Sequence, residues 1–288
     1  LVDRCQFISN ESSMPAQSRT SIAINVNAND SKIRESRFVR FGCTFVLHGS
    51  GHLLVGNHWF QGDDEDNNVR LPGLVFTQLN INTAVTGNYI DSCILEWTNE
   101  HEPAVNYSSG YSFGGLTVTG NTCVAMDAAA WFTFFSIKPY GSGHFIHGLT
   151  IADNVFKAIN GNITRIDKAD STFADLDFSR MRNIRVEGNM FNGIDEQISN
   201  PVFLEANQST AQSTWTVSAG GYLPFGGWAR NVESIVAEGA ITNSAGSRVT
   251  AMPYVNVEQG ADKDQVQVVW PESAKGRIHM KIRMDNPN

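Results

Sequence analysis

The chain has 288 residues, 41% of them apolar, and a net charge of -8. This length can bury a large core in one or two domains, while no apolar run approaches the roughly 18 to 20 residues that a transmembrane helix needs, so we expect no membrane insertion. An acidic chain without a basic stripe excludes nucleic acid as the expected partner.

An eight-residue pattern recurs along the first two thirds of the chain: apolar, any, apolar, any, Gly, Asn, any, apolar. The clearest copies are LTVTGNTC at 116–123, LTIADNVF at 149–156 and IRVEGNMF at 184–191. Further copies lie at 52–59 and 83–90, and weaker traces lie at 31–38 and 2–7. The spacing of about 20 to 35 residues is typical of a solenoid built from stacked coils.

Strand-like runs such as CTFVLH (43–48) and CILEW (93–97) fill the intervals, and helical periodicity is nearly absent. Within the pattern, Gly allows a sharp corner with positive φ after a strand. The Asn that follows can then hydrogen-bond the turn and the Asn of the next coil. The sequence therefore predicts a buried Asn ladder; the alternative, a set of unrelated Asn turns, leaves the spacing unexplained. The four cysteines lack CxxC spacing and are expected to be small core residues.

The segments LTVTGN, LTIADN and IRVEGN resemble the coil repeats of right-handed parallel β-helix proteins, the pectin-lyase-like group. The resemblance covers residues 1–208 and implies an all-β fold whose body is a right-handed parallel β-helix. It implies less about activity, because polysaccharide lyases, glycoside hydrolases and phage tailspikes share this fold. The chain starts at Leu1 in a strand-like run, so we interpret it as part of a longer or processed protein.

The first candidate loop is QGDDEDNNVR at 61–70. Its carboxylates, at Asp63, Asp64, Glu65 and Asp66, could ligate Ca²⁺, although the spacing is not that of an EF-hand. The alternative is a solvated acidic loop. Lyases of the resembled group use calcium-binding Asp residues with an Arg or Lys base, a role that would fall here to Arg70 or Lys138. The Arg-x-Pro-x-x-Arg pattern of those enzymes is missing, and Asp63-Asp64 lacks the downstream motif of the hydrolases.

The second candidate is ILEWTNEHEP at 94–103. Paired carboxylates flanking a sugar perform glycoside hydrolysis, so Glu96 and Glu100 are candidates for acid and base, with Asp64 as a further partner. Trp97 and His101 are candidates for substrate binding. The alternative is a polar loop in which Trp97 and His101 pack locally.

The third candidate is IKPYGSGHFIHG at 137–148, which offers Lys138, Tyr140, His144 and His147. We predict substrate binding by Lys138, Tyr140 and His144, together with Arg70 from the first loop. The alternative is a packed loop. The charged stretch at 165–180 is interpreted as side chains that pair with one another across neighbouring coils.

The repeat stops at residue 208, STAQST (209–214) is predicted to be a linker, and residues 215–288 contain about five runs of alternating apolar residues. The run GRIHMKIRM places Ile278, Met280, Ile282 and Met284 on one face. We predict a small antiparallel β-sandwich here. It would be either a cap on the solenoid or an independent carbohydrate-binding or trimerising module.

Two functions compete. The first is a polysaccharide-recognition protein, extracellular or on a virion or particle surface, similar in layout to phage tailspikes or head spikes and assembled as a homotrimer. Exposed aromatic residues would stack on sugar rings; the candidates are Trp59, Trp97, Tyr107, Tyr111 and Trp131. The alternative is a polysaccharide lyase or glycoside hydrolase that uses the carboxylates at 63–66, 96 and 100. A third, weaker option is a structural adhesin without a sugar site.

Overall fold

A computed structural model describes residues 1–61, 70–102 and 112–287 of the chain. The contacts divide it into two compact units. The first comprises Leu1–Asp177 and Ile184–Gln197, and the second comprises Phe178–Asn183 and Ile198–Asn288. Almost all regular structure is strand, and the described helical segments are short 3₁₀ turns at Ala16–Ser18, Phe178–Arg180, Gly220–Tyr222 and Pro224–Gly226.

The first half of the solenoid is made of short strands. In chain order these are β1 (Val2–Asp3), β2 (Gln6–Ile8), β3 (Ile22–Asn27), β4 (Lys32–Arg34), β5 (Arg37–Val39), β6 (Cys43–His48), β7 (Leu53–Val55), β8 (His58–Phe60), β9 (Pro72–Phe76), β10 (Asn80–Thr86), β11 (Tyr89–Asp91) and β12 (Ile94–Thr98). The second half continues with β13 (Phe113–Thr119), β14 (Thr122–Met126), β15 (Phe135–Lys138), β16 (Ile146–Ala152), β17 (Val155–Ile159), β18 (Ile163–Arg165), β19 (Asp167–Ala169), β20 (Arg182–Glu187), β21 (Met190–Asn192) and β22 (Ile194–Glu196).

These strands stack into three long parallel sheets. Sheet A has the order β1-β4-β7-β10-β13-β16-β20, sheet B has β2-β5-β8-β11-β14-β17-β21, and sheet C has β3-β6-β9-β12-β15-β19. Each of the first six coils contributes one strand to each sheet in turn, the last coil adds β20 and β21 to sheets A and B, and β18 and β22 form a small extra pair. The predicted all-β fold with a parallel solenoid is confirmed.

The interior is filled by side chains that repeat in register from coil to coil. In sheet A one aliphatic column runs through Ile33, Leu54, Val85, Val118 and Ile151, all at most 1% exposed. In sheet B the corresponding column is more aromatic and includes Phe38, Trp59 and Phe156. A single coil cannot bury its apolar side, so the stack supplies the burial. Cys43, Cys93 and Cys123 lie in this core as free thiols, whereas Cys5 is exposed.

The predicted Asn ladder is confirmed at the corner between sheets A and B. The side-chain amide of Asn57 donates to Asn88 Oδ1 (3.1 Å), Asn88 donates to Asn121 (2.9 Å), Asn121 to Asn154 (2.9 Å) and Asn154 to Asn189 (3.0 Å). The residue before each Asn has positive φ, from 58° at Asp153 to 67° at Gly188. Gly is therefore common there because it adopts this conformation without strain.

The second unit contains a separate antiparallel sheet of four strands: β23 (Val202–Ser218), β24 (Asn231–Asn243), β25 (Tyr254–Gln259) and β26 (Gln265–Arg283). Ile278, Met280, Ile282 and Met284 are fully buried, as their alternation predicts. Two features differ from the expectation. The described strands belong to one sheet rather than the two of a sandwich, and residues 209–214, predicted to be a linker, lie within β23. This segment is part of a strand that pairs with β26. Its register with β26 shifts between Gln208 and Gln212 and again between Gln212 and Thr214.

Candidate functional site

The outer face of sheet C carries the residues that the sequence singled out in the second and third loops. In β12, Leu95 and Trp97 point into the core, so Glu96 lies on the opposite, outer side of the strand. Glu96 stands in register with Val75 on one side and Ser136 on the other, and Ser136 is in register with Lys168. Two residues further along, Thr98 faces Lys138. A row of polar side chains therefore crosses β12, β15 and β19.

Glu96 is half-buried in this row. Burial raises the pKa of its carboxyl group; the Lys138 ammonium opposes the rise, and the carboxylates of Glu100 and Asp170 add to it. Glu96, Glu100, Lys138 and Asp170 are thus within electrostatic reach of one another. A carboxyl group with a raised pKa keeps its proton to a higher pH than an ordinary surface carboxyl group, and while it is protonated it can donate a hydrogen bond or a proton.

Asp170 holds the loop that follows β19. Its backbone N–H donates to the Ile137 carbonyl oxygen (2.8 Å), and its carboxylate accepts from the Thr172 hydroxyl (2.5 Å). Burial opposes ionisation of Asp170, but the hydrogen bonds from Thr172 and the charges of Lys168 and Lys138 outweigh it, so its pKa is lowered. This carboxylate therefore stays charged under conditions where Glu96 takes up a proton.

A stacked aromatic pair, formed by half-buried Tyr140 and exposed Phe173, lies beside these charges. The rings of Tyr140 and Phe173 are stacked, with centroids 4.2 Å apart and an interplanar angle of 16°. The Lys138 ammonium lies 5.1 Å from the Phe173 centroid and 6.0 Å from that of Tyr140. Phe173 is 54% exposed, although it is a large apolar side chain. A Phe within the polar stretch ADSTFAD is a sequence signal for an exposed aromatic residue. Phe173 was missed because that stretch was interpreted through its charged residues alone.

Two histidines border the same face. His101 lies 3.5 Å from the Glu100 carboxylate, and its ring centroid is 5.0 Å from that of His48. His48 Nδ1 is 2.7 Å from the Thr77 hydroxyl. Burial lowers the pKa of His48, and neighbouring His101 lowers it further, so His48 favours the neutral form. Sequence reasoning missed His48, because only the stacking of coils brings β6 close to the residues that follow β12.

Three residues that were predicted to bind substrate have structural roles instead. Trp97 is 1% exposed and donates from Nε1 to the Gln78 carbonyl oxygen (2.7 Å), so it is a core residue rather than a stacking platform. His144 is fully buried, with Nδ1 2.6 Å from the Ser112 hydroxyl. Arg70 donates to the carbonyl oxygens of Met126 (2.9 Å) and Asp127 (2.8 Å). These three side chains stabilise turns and strands and do not reach the outer face of sheet C.

The remaining candidates divide in the same way. Trp59 is fully buried, whereas Trp131 is 50% exposed. Asp63, Asp64, Glu65 and Asp66 lie outside the described residues, as do Tyr107 and Tyr111. The calcium site and the contribution of Asp64 to catalysis therefore stay predictions. The charged stretch at 165–180 does pair across coils at one point, where Arg165 lies 2.7 Å from Asp167 and 3.2 Å from Glu196.

Within residues 1–61, 70–102 and 112–287, one group of side chains has the proximity that a metal ion would require. Glu205, Glu238 and His279 of the C-terminal sheet place their ligand atoms within 4.8 Å of one another. Arg277 lies between the two carboxylates, 3.1 Å from Glu205 and 3.5 Å from Glu238. The cluster is therefore an exposed ion-pair network.

Comparison with known proteins gives a narrow result. No family model and no curated protein matches the sequence. Among solved structures, the crystal structure of the Pseudomonas phage phi297 tailspike gp61 matches at 10% identity with a TM-score of 0.20. The match covers 88% of this chain and 66% of that one, so this chain spans just under two thirds of the tailspike's length. A likeness this remote does not bear on function. Across the described residues, no helix is long and apolar enough to cross a membrane.

Proposed function

We propose that the chain is a polysaccharide-recognition protein and that the polymer binds on the outer face of sheet C. The observation that carries this proposal is the stacked pair of half-buried Tyr140 and exposed Phe173 beside Lys138, which lies within electrostatic reach of Glu96. Aromatic faces bind the C–H faces of sugar rings, while carboxylates and ammonium groups hydrogen-bond their hydroxyl groups. A large exposed Phe next to several polar groups combines both kinds of contact.

The geometry favours a polymer over a single sugar. The register row Val75–Glu96–Ser136–Lys168 spans four parallel strands, which at about 4.8 Å per strand corresponds to about 14 Å. Val75 and Ser136 are buried, so a polymer would contact this row at Glu96 and Lys168, which lie two strands apart. The carboxylates of Glu96, Glu100 and Asp170 outnumber the Lys138 ammonium on this face. The face therefore favours neutral sugars, or anionic sugars bridged by a cation.

Location and assembly belong to the same proposal. A protein that recognises a cell-surface or capsular glycan acts outside cells or on the surface of a virion or phage-derived particle, and the tailspike-like layout of solenoid plus C-terminal β-domain suggests a homotrimer. Light scattering coupled to size-exclusion chromatography tests the assembly: a mass about three times the 31.6 kDa of one chain supports the trimer, and a monomer mass contradicts it.

Binding is tested by immobilising the protein and measuring its response to a panel of bacterial capsular and plant polysaccharides, with and without EDTA. Phe173→Ala and Tyr140→Ala should each weaken binding to the recognised polymer by at least about fivefold, since loss of a stacking contact costs about 1 kcal/mol or more. Phe203→Ala removes an aromatic residue of the C-terminal sheet that is 61% exposed, and it is the matched control. Equal affinities for all four proteins would contradict the proposed site. An EDTA effect would indicate calcium and point to Asp63, Asp64 or Asp66.

One observation favours a second candidate, a polysaccharide-cleaving enzyme. Burial raises the pKa of Glu96 while further carboxylates lie nearby, and glycoside hydrolases pair a carboxylic acid with a carboxylate in this way. Glu96 would act as the acid and Glu100 as the base. Release of reducing ends or unsaturated sugars that is lost in Glu96→Gln and Glu100→Gln, but kept in Glu187→Gln, would establish the enzyme. Binding without any product would exclude it for the polymers tested.

A further inference from the structure

A second concave surface lies on the outer face of sheet B, away from the strands of sheet C. It is a cleft of about 550 Å³ between β5, β8 and β11. This volume falls in the range of about 300 to 1,000 Å³ that is common for small-molecule sites. We call it the sheet B cleft, defined by Arg37, His58, Phe60, Tyr89 and Asp91 with the turn glycines Gly56 and Gly87 at one end.

The cleft follows from the register of three coils. Arg37, His58 and Tyr89 stand side by side in one row, and Phe60 and Asp91 stand side by side two residues further on, so all five share the outer face. In the next coil the same rows carry the smaller residues Thr122 and Val124, and in the coil after it they carry Val155 and Lys157. At Gly87 an added Cβ would meet no atom within 4 Å, so the space beside this turn is open.

Ring surfaces and hydrogen-bond donors dominate the lining. The rings of His58 and Tyr89 meet edge to face, with centroids 4.9 Å apart at 80°. Among the residues that the structure describes, the Arg37 guanidinium, the His58 imidazole and the Tyr89 hydroxyl have no hydrogen-bond or ion-pair partner. Three polar groups that converge on one cavity without protein partners are what a ligand-binding surface requires.

Arg37 is the one permanently charged cation among the described residues that line the cleft, and Asp91 is the one carboxylate. Asp91 is largely buried and accepts a hydrogen bond from the Ser92 hydroxyl (2.9 Å). The Arg37 side chain is exposed and has no ion-pair partner among the described residues. Its guanidinium is therefore the group in the cleft that can pair with an anionic group on a ligand.

We propose that the sheet B cleft binds a sugar unit that carries a carboxylate. Arg37 pairs with the carboxylate, for which the planar guanidinium offers two parallel N–H donors. The rings of Tyr89 and Phe60 contact the apolar face of the sugar, and the Tyr89 hydroxyl and His58 imidazole hydrogen-bond its hydroxyl groups. This site uses a different face and prefers the opposite ligand charge from the one proposed on sheet C, so either can fail without the other.

The test compares two ligands that differ only in charge, methyl glucuronide and its methyl ester, in NMR titrations of the ¹⁵N-labelled chain. The acid should shift the backbone amides of β5, β8 and β11 and should bind at least about tenfold more tightly than the ester. Arg37→Gln should weaken binding of the acid by about tenfold and leave the affinity for the ester unchanged.

The control is Lys157→Gln, which removes an exposed cation from the same sheet face four coils away from Arg37 and should leave the affinity within about twofold. Circular dichroism and thermal melting confirm that both variants fold. The proposal is overturned if the acid does not bind, if it shifts amides elsewhere, if the ester binds equally well, or if Arg37→Gln and Lys157→Gln behave alike.

Discussion

Glu96 illustrates how the alternation of one short strand decides which side chains meet solvent. Its neighbours Leu95 and Trp97 fill the core, and the same two-residue period turns Glu96 outward, where coil stacking surrounds it with Lys138 and further carboxylates. The outward position of Glu96 follows from this alternation in the sequence once Leu95 and Trp97 are placed in the core. The raised pKa does not, because its causes come from residues of other coils.

The raised pKa makes a prediction for stability against pH. A carboxyl group whose folded-state pKa lies above its usual value of 4.5 stabilises the fold most at a pH below that value, and this stability is lost as the pH rises through the folded-state pKa. Glu96→Gln should therefore melt at a higher temperature than the wild type at about pH 7, with the difference vanishing near pH 4. Glu187→Gln, in an exposed ion pair with Arg185, is the control and should change little at either pH. A lower melting temperature for Glu96→Gln at neutral pH would contradict the assignment.

The centre of the Asn ladder makes a second prediction. Asn121 accepts from the side chain and the backbone N–H of Asn88, and it donates to the Val85 carbonyl oxygen (3.0 Å). Asn121→Ala leaves these buried groups unsatisfied and should lower the free energy of unfolding by about 3 kcal/mol, measured by urea denaturation. Asn162→Ala removes an exposed side chain that donates to Asp195, and a loss below about 0.5 kcal/mol is expected. Similar losses of unfolding free energy in the two variants would mean that the buried ladder stabilises the fold no more than an exposed hydrogen bond does.

Predictions for single residues failed where a polar or aromatic side chain is needed inside the fold. Trp97 and His144 are residue types that often bind ligands, yet here one fills the core and the other hydrogen-bonds to neighbouring loops. Phe173 was missed for the opposite reason, since an apolar residue is expected to be buried. Composition alone cannot separate these cases, because burial depends on contacts between distant parts of the chain.

Among the strands and turns, those of sheets A and B were predicted well. Each eight-residue copy of the repeat contains a strand of sheet A, the corner and the next strand, which belongs to sheet B. Sheet C was predicted less sharply. Near the end of the solenoid, for example, the adjacent strands β18 (Ile163–Arg165) and β19 (Asp167–Ala169) are separated by one residue and belong to different sheets. The long strands of the C-terminal sheet were also divided incorrectly, since Ser, Thr and Gln in STAQST resemble a linker while their backbone pairs with β26.

Two glycines in and beside strand β13 test the turn chemistry. Gly115 has φ +77° and faces the backbone of Asn82, where an added Cβ would lie 2.8 Å from both Cα and N. Gly120 has φ +65° but nothing within 4 Å of such an atom, and Asp153 takes the equivalent place in a later coil. Gly115→Ala should therefore cost at least about 3 kcal/mol, and Gly120→Ala about 1 kcal/mol, the conformational term alone. Thermal denaturation measures the stability of both variants. Equal losses of stability would show that the chain relieves the clash between the new Cβ and Asn82 without an energetic cost.

For the whole molecule, the charge is carried by one part of the chain. Residues 1–208 contain 14 Lys and Arg against 22 Asp and Glu, whereas residues 209–288 contain seven of each. Within the acidic part the two proposed sites differ, since carboxylates crowd the outer face of sheet C and Arg37 dominates the sheet B cleft. Fold class was predictable from the sequence because the repeat encodes it. Function was not, because both sites combine residues from three or more coils.

This contrast predicts different salt dependence. Raising NaCl from about 0.05 to 0.5 M should change the affinity for a neutral polymer on sheet C by less than about threefold, because stacking and hydrogen bonding are not screened. The affinity of the sheet B cleft for methyl glucuronide should fall by more than about threefold over the same range. Titrations at the two salt concentrations measure both, and a strong salt dependence on sheet C would show that charge pairing, not stacking, holds the polymer.

The most direct test of the central claim is a crystal structure of the chain with an oligosaccharide taken from the polymer it binds best. We expect sugar rings against Tyr140 and Phe173, with hydroxyl groups hydrogen-bonded to Glu96 and Lys138 along β12 and β15. An oligosaccharide bound away from sheet C, with these four side chains unchanged and without contact, would contradict it.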